Sequence, residues 1–271
     1  LTSLLKDKKV DIIVHSWKDL PVEENSETEI VGTLKREDTR DMIFFRKESL
    51  KKNTLIVLSS SPRREYALSK LLSFALPQKN SLTFTPVRGN IPTRIRKLLQ
   101  AEGDALVVAK AAIDRILETR EEEYKEAREY IYALFEQCKW IIAPLSICPG
   151  AAAQGALAIE IRRDDPKIKR FISEINSKED FECVVKEREI LSSYGGGCHQ
   201  KIGATVINRH FGKVKFLQGI TDEGVVLDEI EILREVSKRI SSNFLYPNNH
   251  DSSLIIERRK YTDVYIPKDS C

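Results

Sequence analysis

Leu55-Ile56-Val57-Leu58-Ser59-Ser60-Ser61-Pro62-Arg63-Arg64 is the stretch that decides the fold. Four apolar residues, two of them β-branched, read as a buried strand. Three serines end it, and Tyr66, Leu68, Leu71 and Leu72 then recur at helical spacing over Pro62–Phe74. The alternation continues downstream. Ser81–Val87 alternates as a strand, Pro92–Ala101 is amphipathic and stops at Gly103, and Ala105–Ala109 is a buried-type strand before a helix through Leu117. Strand and helix taking turns predict βαβ units and a parallel sheet.

On the N-terminal side, Val10–Val14, Ile30–Leu34 and Asp41–Phe45 are strand candidates, and His15–Pro21 interrupts the first with polar residues. Glu118–Lys139 is charge-dense with a tyrosine and leucine stripe, read as a solvated helix, with a partner-binding helix as the other reading. Pro144–Gly155 is a Pro/Gly/Ala-rich crossing, followed by strand-like Ala156–Ile161 and a composition shift near Asp164–Pro166. The last third changes character. A helix over Ser177–Ser193 precedes strand-like runs at Ile202–Ile207, Val214–Ile220 and Val225–Leu233, with Asp222-Glu223-Gly224 as a turn. A closing helix is expected around Arg234–Leu245. This pattern predicts a small α+β domain with an antiparallel sheet.

Composition narrows the function classes. With 271 residues, 41% hydrophobic and 31% charged, the chain reads as a soluble globular protein with two or three cores. No apolar run approaches the roughly 20 residues that span a bilayer, and no basic-plus-apolar leader marks secretion. Cys138, Cys148, Cys183, Cys198 and Cys271 are scattered and form no C-x-x-C pair. They read as reduced cytosolic thiols, with no metal cage. A net charge of +3 argues against a dedicated polyanion binder.

Gly195-Gly196-Gly197-Cys198-His199 is the other informative stretch. Three glycines impose a loop of unusual freedom and expose the cysteine after them. His199 and Lys201 would lower the pKa of the Cys198 thiol and favour its thiolate. The sharp reading is a cysteine presented for covalent chemistry; the bland one is a hinge before an ordinary cysteine.

Ligands of parallel sheets bind beyond the carboxyl ends of the strands. Three such ends carry polar chemistry: His15-Ser16-Trp17-Lys18-Asp19, Ser59 to Arg64, and Arg88-Gly89-Asn90 with Arg94 and Arg96 one turn on. Ser61 is a good N-cap, and Pro62 suits the first helical position. Arg63 and Arg64 then fall in the first turn, where cations oppose the helix dipole. That cost suggests an anionic ligand sharing the free N–H groups and the guanidinium groups. Asn90 as cap with Arg94 inside the helix repeats the pattern. Arginine's fork matches carboxylate or phosphate bidentately, so the pocket should hold a ligand with several acid groups. Asp19 could stabilise a developing cation or shuttle a proton, or only pair with a nearby cation. Lys18 could equally be a surface lysine, and His15 reads as structural.

The ordered set resembles the porphobilinogen deaminase (hydroxymethylbilane synthase) family. It comprises His15-Ser16-x-Lys18-Asp19-x-Pro21, Ser60-Ser61-x-Arg63-Arg64, Arg88-Gly89-Asn90-x-x-Thr93-Arg94 and Gly196-Gly197-Cys198, with Gln154-Gly155-Ala156 and Glu187-Arg188. The likeness runs from about Val10 and weakens after about Ile207. It implies an α/β fold with two periplasmic-binding-protein-like domains around a cleft plus the small C-terminal domain. The domains would be 1–36 with 142–172, 37–141, and 173–271. It implies a dipyrromethane cofactor joined through a thioether to Cys198. The activity would be a transferase reaction of haem biosynthesis, condensing four porphobilinogen molecules into hydroxymethylbilane with release of ammonia. Asp19 would be the catalytic carboxylate, set against the pyrrole nitrogens and stabilising the azafulvene cation left when ammonia departs. Lys18, Ser61, Arg63, Arg64 and Arg94 would hold the cofactor's acid groups; Arg88, Asn90 and Arg115 would bind substrate or the growing chain. The expected partner is porphobilinogen alone, for a cytoplasmic monomer, with no nucleic acid and no membrane.

The chain departs from that family in three places. The family's opening strand and helix lie upstream of the segment that matches Val10, where only nine residues stand here. Their loss would leave the first sheet with open edges and gives weight to the alternative of a non-catalytic, two-lobed module for an acidic small molecule. Pro62 and Ala153 stand where a different residue and a glycine are expected. Pro62 fits a helix start, and Ala153 would tighten the inter-domain crossing.

Overall fold

The computed structural model describes residues 2–23, 25–76, 81–196 and 200–233. Helix α1 (Thr2–Lys6) leads to strands β1 (Ile13–Ser16) and β2 (Thr28–Gly32). A second run brings β3 (Asp41–Arg46), β4 (Thr54–Leu58), α2 (Pro62–Ala75), β5 (Ser81–Thr85), α3 (Ile91–Leu99) and β6 (Ala105–Ala109). It continues through α4 (Lys110–Glu118), α5 (Lys125–Gln137) and β7 (Cys138–Ile142). The chain returns through β8 (Leu157–Arg162), α6 (Pro166–Ile175) and α7 (Lys178–Ser193) to a meander of β9 (Lys201–Arg209), β10 (Gly212–Ile220) and β11 (Val226–Leu233).

These strands form three sheets, ordered β1-β8-β2, β5-β4-β6-β3-β7 and β11-β10-β9. The five-stranded sheet has the expected alternation, with β4 parallel to both β5 and β6. It is not wholly parallel, however. β3 runs antiparallel to β6 and β7, because it reaches the sheet without a helical crossover from any strand of it. Period-two alternation then builds two cores. Phe44, Leu106 and Val108 face one way, onto Ile95, Leu98, Ile113, Ile131 and Leu134. Ile43, Phe45, Ala105 and Val107 face the other, onto Leu68, Leu71 and Leu72 of α2.

The stretch read as one solvated helix over Glu118–Lys139 divides differently. A short turn at Glu122–Tyr124 precedes α5, and the chain switches to edge strand β7 at Cys138. Ile131 and Leu134 of α5 are fully buried. In the third sheet all three expected strands form an antiparallel meander. Ile202, Ala204, Leu217 and Leu227 pack there with Ile190 and Tyr194. The closing helix expected around Arg234–Leu245 lies outside the described residues. No helix among the described residues is long and apolar enough to cross a membrane.

Candidate functional site

Both helix starts have the caps their sequences predict. Ser61 Oγ accepts from Arg64 N at 3.4 Å, with Pro62 opening α2. Asn90 Oδ1 accepts from Thr93 N at 3.0 Å at the start of α3.

The first-turn arginines of α2 do not fan out toward solvent. Arg63 and Arg64 are 5% and 9% exposed, and a carboxylate sits between them. Arg63 Nη2 donates to Asp41 Oδ2 at 2.8 Å, and Arg64 Nη2 to Asp41 Oδ1 at 2.7 Å. Gln154 Nε2 adds a third donor to Asp41 Oδ1 at 3.0 Å. Burial opposes the charge on Asp41, but Arg63 and Arg64 outweigh it and hold the carboxyl well below the usual carboxylate range. Arg63 Nη1 is also taken, by the Pro149 carbonyl at 2.6 Å. Arg63 therefore joins α2 to the crossing, whereas Arg64 keeps a buried Nε with no hydrogen-bond partner.

Lys18 meets Arg64 from the other side. It lies half-buried in the single turn Trp17–Asp19 that follows β1. Burial lowers its pKa first and the Arg64 charge next, with Asp19 and Asp41 opposing. Arg94 shows the same sign: burial lowers its pKa, and Arg64 adds to that. Its Nε donates to the Gly89 carbonyl at 2.8 Å. Lys18 and Arg94, partly buried and from different sheets, thus each lie within reach of the Arg64 charge. Asp41 and Asp19 offset part of that repulsion.

The remaining candidates are more dispersed. Asp19 is exposed beside Lys18, and Arg88 and Asn90 are exposed on the loop that enters α3. Arg115 Nη2 donates to the Gly155 carbonyl of the crossing at 3.0 Å. Cys198 lies outside the described residues. The chain leading to it is informative: Gly195 and Gly196 have φ of +91° and +65°. A Cβ on Gly196 would stand 2.6 Å from Val22 Cγ2. The glycine run therefore begins against the segment just after Asp19. Cys138, Cys148 and Cys183 are buried. Burial pushes the Cys148 thiol up to about 12 and the other two up to about 11, which makes them poor nucleophiles.

Sequence reading assigned no role to Asp41, Gln154 or the Arg36–Glu187 pair. Arg36 Nη1 and Nη2 meet Glu187 Oε1 and Oε2 at 2.7 and 2.8 Å, and Glu187 is fully buried. Glu187 also accepts from Ala153 N at 2.7 Å and Val206 N at 2.6 Å. Ala153, where a glycine was expected, is buried at φ +67°. The crossing is tight there at the cost of a conformation L-residues avoid. A charge opening an apolar run, as in Asp41-Met42-Ile43-Phe44-Phe45, was the available signal for Asp41.

The fold and the site define an α/β protein whose first two sheets carry Lys18, Arg64 and Arg94 toward one another. Residues 1–170 match the family model described as "Porphobilinogen deaminase, dipyromethane cofactor binding domain". The porphobilinogen deaminase of Caldicellulosiruptor saccharolyticus is 36% identical over 204 residues, which cover 73% of this chain and 61% of that protein. That of Alkaliphilus metalliredigens is 32% identical over 205 residues, covering 74% and 57%. That of Mycolicibacterium gilvum is 31% identical over 236 residues, covering 86% and 65%. The chain belongs to the porphobilinogen deaminase family. It spans about three-fifths of the length of these curated relatives. A periplasmic sulfonate-binding protein of Methylobacillus flagellatus overlays 70% of this chain and 55% of its own at 15% identity and a TM-score of 0.36. An overlay that loose adds nothing to the fold.

Proposed function

We propose that this chain takes part in condensing four porphobilinogen molecules into hydroxymethylbilane, with release of ammonia. The observation that carries the reading is the meeting of Lys18, Arg64 and Arg94, with the Arg64 Nε buried and unpartnered. A pyrrole substituted with acetate and propionate is an anion of the kind such a cluster would accept.

The residues fit a dipyrromethane held through a thioether to Cys198, which would supply the pyrrole carbon from which the product chain grows. Lys18, Arg64 and Arg94 would take its carboxylates, with Ser61 capping the helix that carries Arg64. Arg63 is assigned a supporting part, since Asp41 and Pro149 occupy both of its terminal nitrogens. Asp19 is the proposed catalytic carboxylate, exposed next to Lys18 and able to face a cation forming on the substrate as ammonia leaves. Arg88, Asn90 and Arg115 are proposed contacts for incoming acid groups. The proposed domains are 1–36 with 142–172, 37–141, and 173–271. The proposed setting is a cytoplasmic monomer acting on the small molecule alone.

Intact-mass measurement tests this reading. Wild-type protein should carry an extra mass of two pyrrole units that disappears in Cys198→Ala. Asp19→Ala should keep that mass and lose ammonia release by at least about a hundredfold. An active protein with no mass dependent on Cys198 refutes the tether, and normal turnover in Asp19→Ala refutes the carboxylate.

A further inference from the structure

Arg188 sits next to the buried Glu187 on α7 and reaches the turn that carries Lys18 and Asp19. Its Nη1 donates to the carbonyls of Trp17 at 3.3 Å and Leu20 at 3.2 Å, and its Nη2 donates to the Pro21 carbonyl. A helix of one turn ends in carbonyls with few partners of its own. Trp17–Asp19 makes one closing bond, from Leu20 N to the Trp17 carbonyl at 3.2 Å. The guanidinium fork adds donors to the Trp17 carbonyl and to those of Leu20 and Pro21 just past the turn, as cations do at helix C-termini. Asp19 is exposed, so its carboxylate goes where the backbone of this turn puts it.

Helix α7 is a fixed base for that grip. Glu187 is held by Arg36, Ala153 N and Val206 N, so the helix cannot slide without breaking buried charge-assisted bonds. At its far end, Gly196 stands against Val22. One helix therefore holds the Asp19 turn and leads on to Gly195 and Gly196 beside Val22.

We infer that Arg188 is a positioning residue: through the carbonyls of Trp17, Leu20 and Pro21 it keeps the Asp19 turn in register with α7, and so with Gly196, which stands against Val22. The inference rests on the role proposed for Asp19, but its first test does not. In Arg188→Ala, hydrogen exchange at the Trp17 and Leu20 amides should quicken at least about tenfold, while Ile202, Ala204 and Leu217 in the third sheet stay unchanged. Added methylguanidinium should restore protection. A uniform rise across all five amides, or none at Trp17 and Leu20, overturns the inference. Should Arg188→Ala not fold, Arg188→Lys offers one nitrogen for three carbonyls; wild-type exchange at Trp17 and Leu20 in that variant overturns it equally. The second arm is kinetic. With the mass dependent on Cys198 retained, kcat should fall about a hundredfold and KM stay within about threefold, as displacement of a reacting group predicts. An unchanged kcat overturns the positioning role. If Asp19→Ala itself turns over normally, the role proposed for Asp19 fails while the exchange result still decides whether Arg188 orders the turn.

Discussion

Asp41 shows how an internal counter-ion changes the meaning of an arginine pair. From the sequence, Arg63 and Arg64 at a helix start called for an external anion. The structure supplies one from β3, and only Arg64 keeps an unmet donor. Nothing local to Ser61–Arg64 reveals this, because the register that brings Asp41 there is set by sheet pairing. Asp41→Asn would leave two buried guanidinium groups on a neutral amide, and removing one partner of a buried ion pair costs about 3–5 kcal/mol. The urea midpoint should fall with an unchanged m-value. The folded pKa of Asp41 lies below its unfolded value of roughly 3.9, so its contribution is complete above that pH and fades as pH falls through the folded value. The acid limb of the stability profile should accordingly be shallower in Asp41→Asn. Cys148, with Sγ 4.0 Å from Asp41 Oδ2, behaves oppositely. Its folded pKa of about 12, like the values of about 11 for Cys138 and Cys183, lies above the unfolded value near 8.5. Their stabilisation is complete below about pH 8.5 and fades as pH rises toward 11–12. In native protein at pH 8, iodoacetamide mapped by peptide mass should spare these three and label them once urea is added.

Among the elements, the ones read correctly are those whose signal is complete within the segment. β4 to β6 and the helices between them carry period, cap and breaker together, and the meander of β9 to β11 has its turn residues in place. β7 was hidden because Cys138-Lys139-Trp140-Ile141-Ile142 continues the charged, aromatic texture of α5 without a Gly or Pro to mark the change. β3 was legible as a strand, but its reversed direction depends on the whole sheet. The glycine run was legible for the right reason, since both described members adopt positive φ. The two differ in surroundings, and this sets up a test. A Cβ on Gly195 would meet only Gln200 Nε2 at 3.5 Å, whereas one on Gly196 would stand 2.6 Å from Val22 Cγ2. Gly195→Ala should lose about 1 kcal/mol from backbone strain alone, and Gly196→Ala should lose more. Adding Val22→Ala should recover part of the loss at 196 and none at 195, measured as a double-mutant cycle by chemical denaturation.

At the scale of the molecule, the crossing at residues 149–156 is where the three sheets are tied. The Pro149 carbonyl takes Arg63 from α2, and Gln154 Nε2 reaches the Thr39 carbonyl and Asp41. Ala153 N reaches Glu187, which also holds Arg36 and Val206 N of β9. The family likeness flagged Gln154 and Glu187, but no local pattern could show where they bind, because their partners Asp41 and Arg36 lie more than a hundred residues away in sequence. If this knot makes the sheets unfold together, Glu187→Gln should do more than cost the roughly 3–5 kcal/mol of an orphaned buried arginine. It should also let the sheets separate. The chain has two tryptophans: Trp17 packs in the first sheet's core and Trp140 lies on β7 of the second. In a Trp140→Phe background, the fluorescence of Trp17 reports the first sheet, and far-UV circular dichroism reports the whole. With Glu187 intact, both probes should trace one urea transition. With Glu187→Gln, the Trp17 transition should move to lower urea than the dichroism. Coincident curves in the variant would mean that the sheets are coupled elsewhere. The separation should shrink again in Arg36→Met/Glu187→Gln, where no unpaired cation remains at the junction.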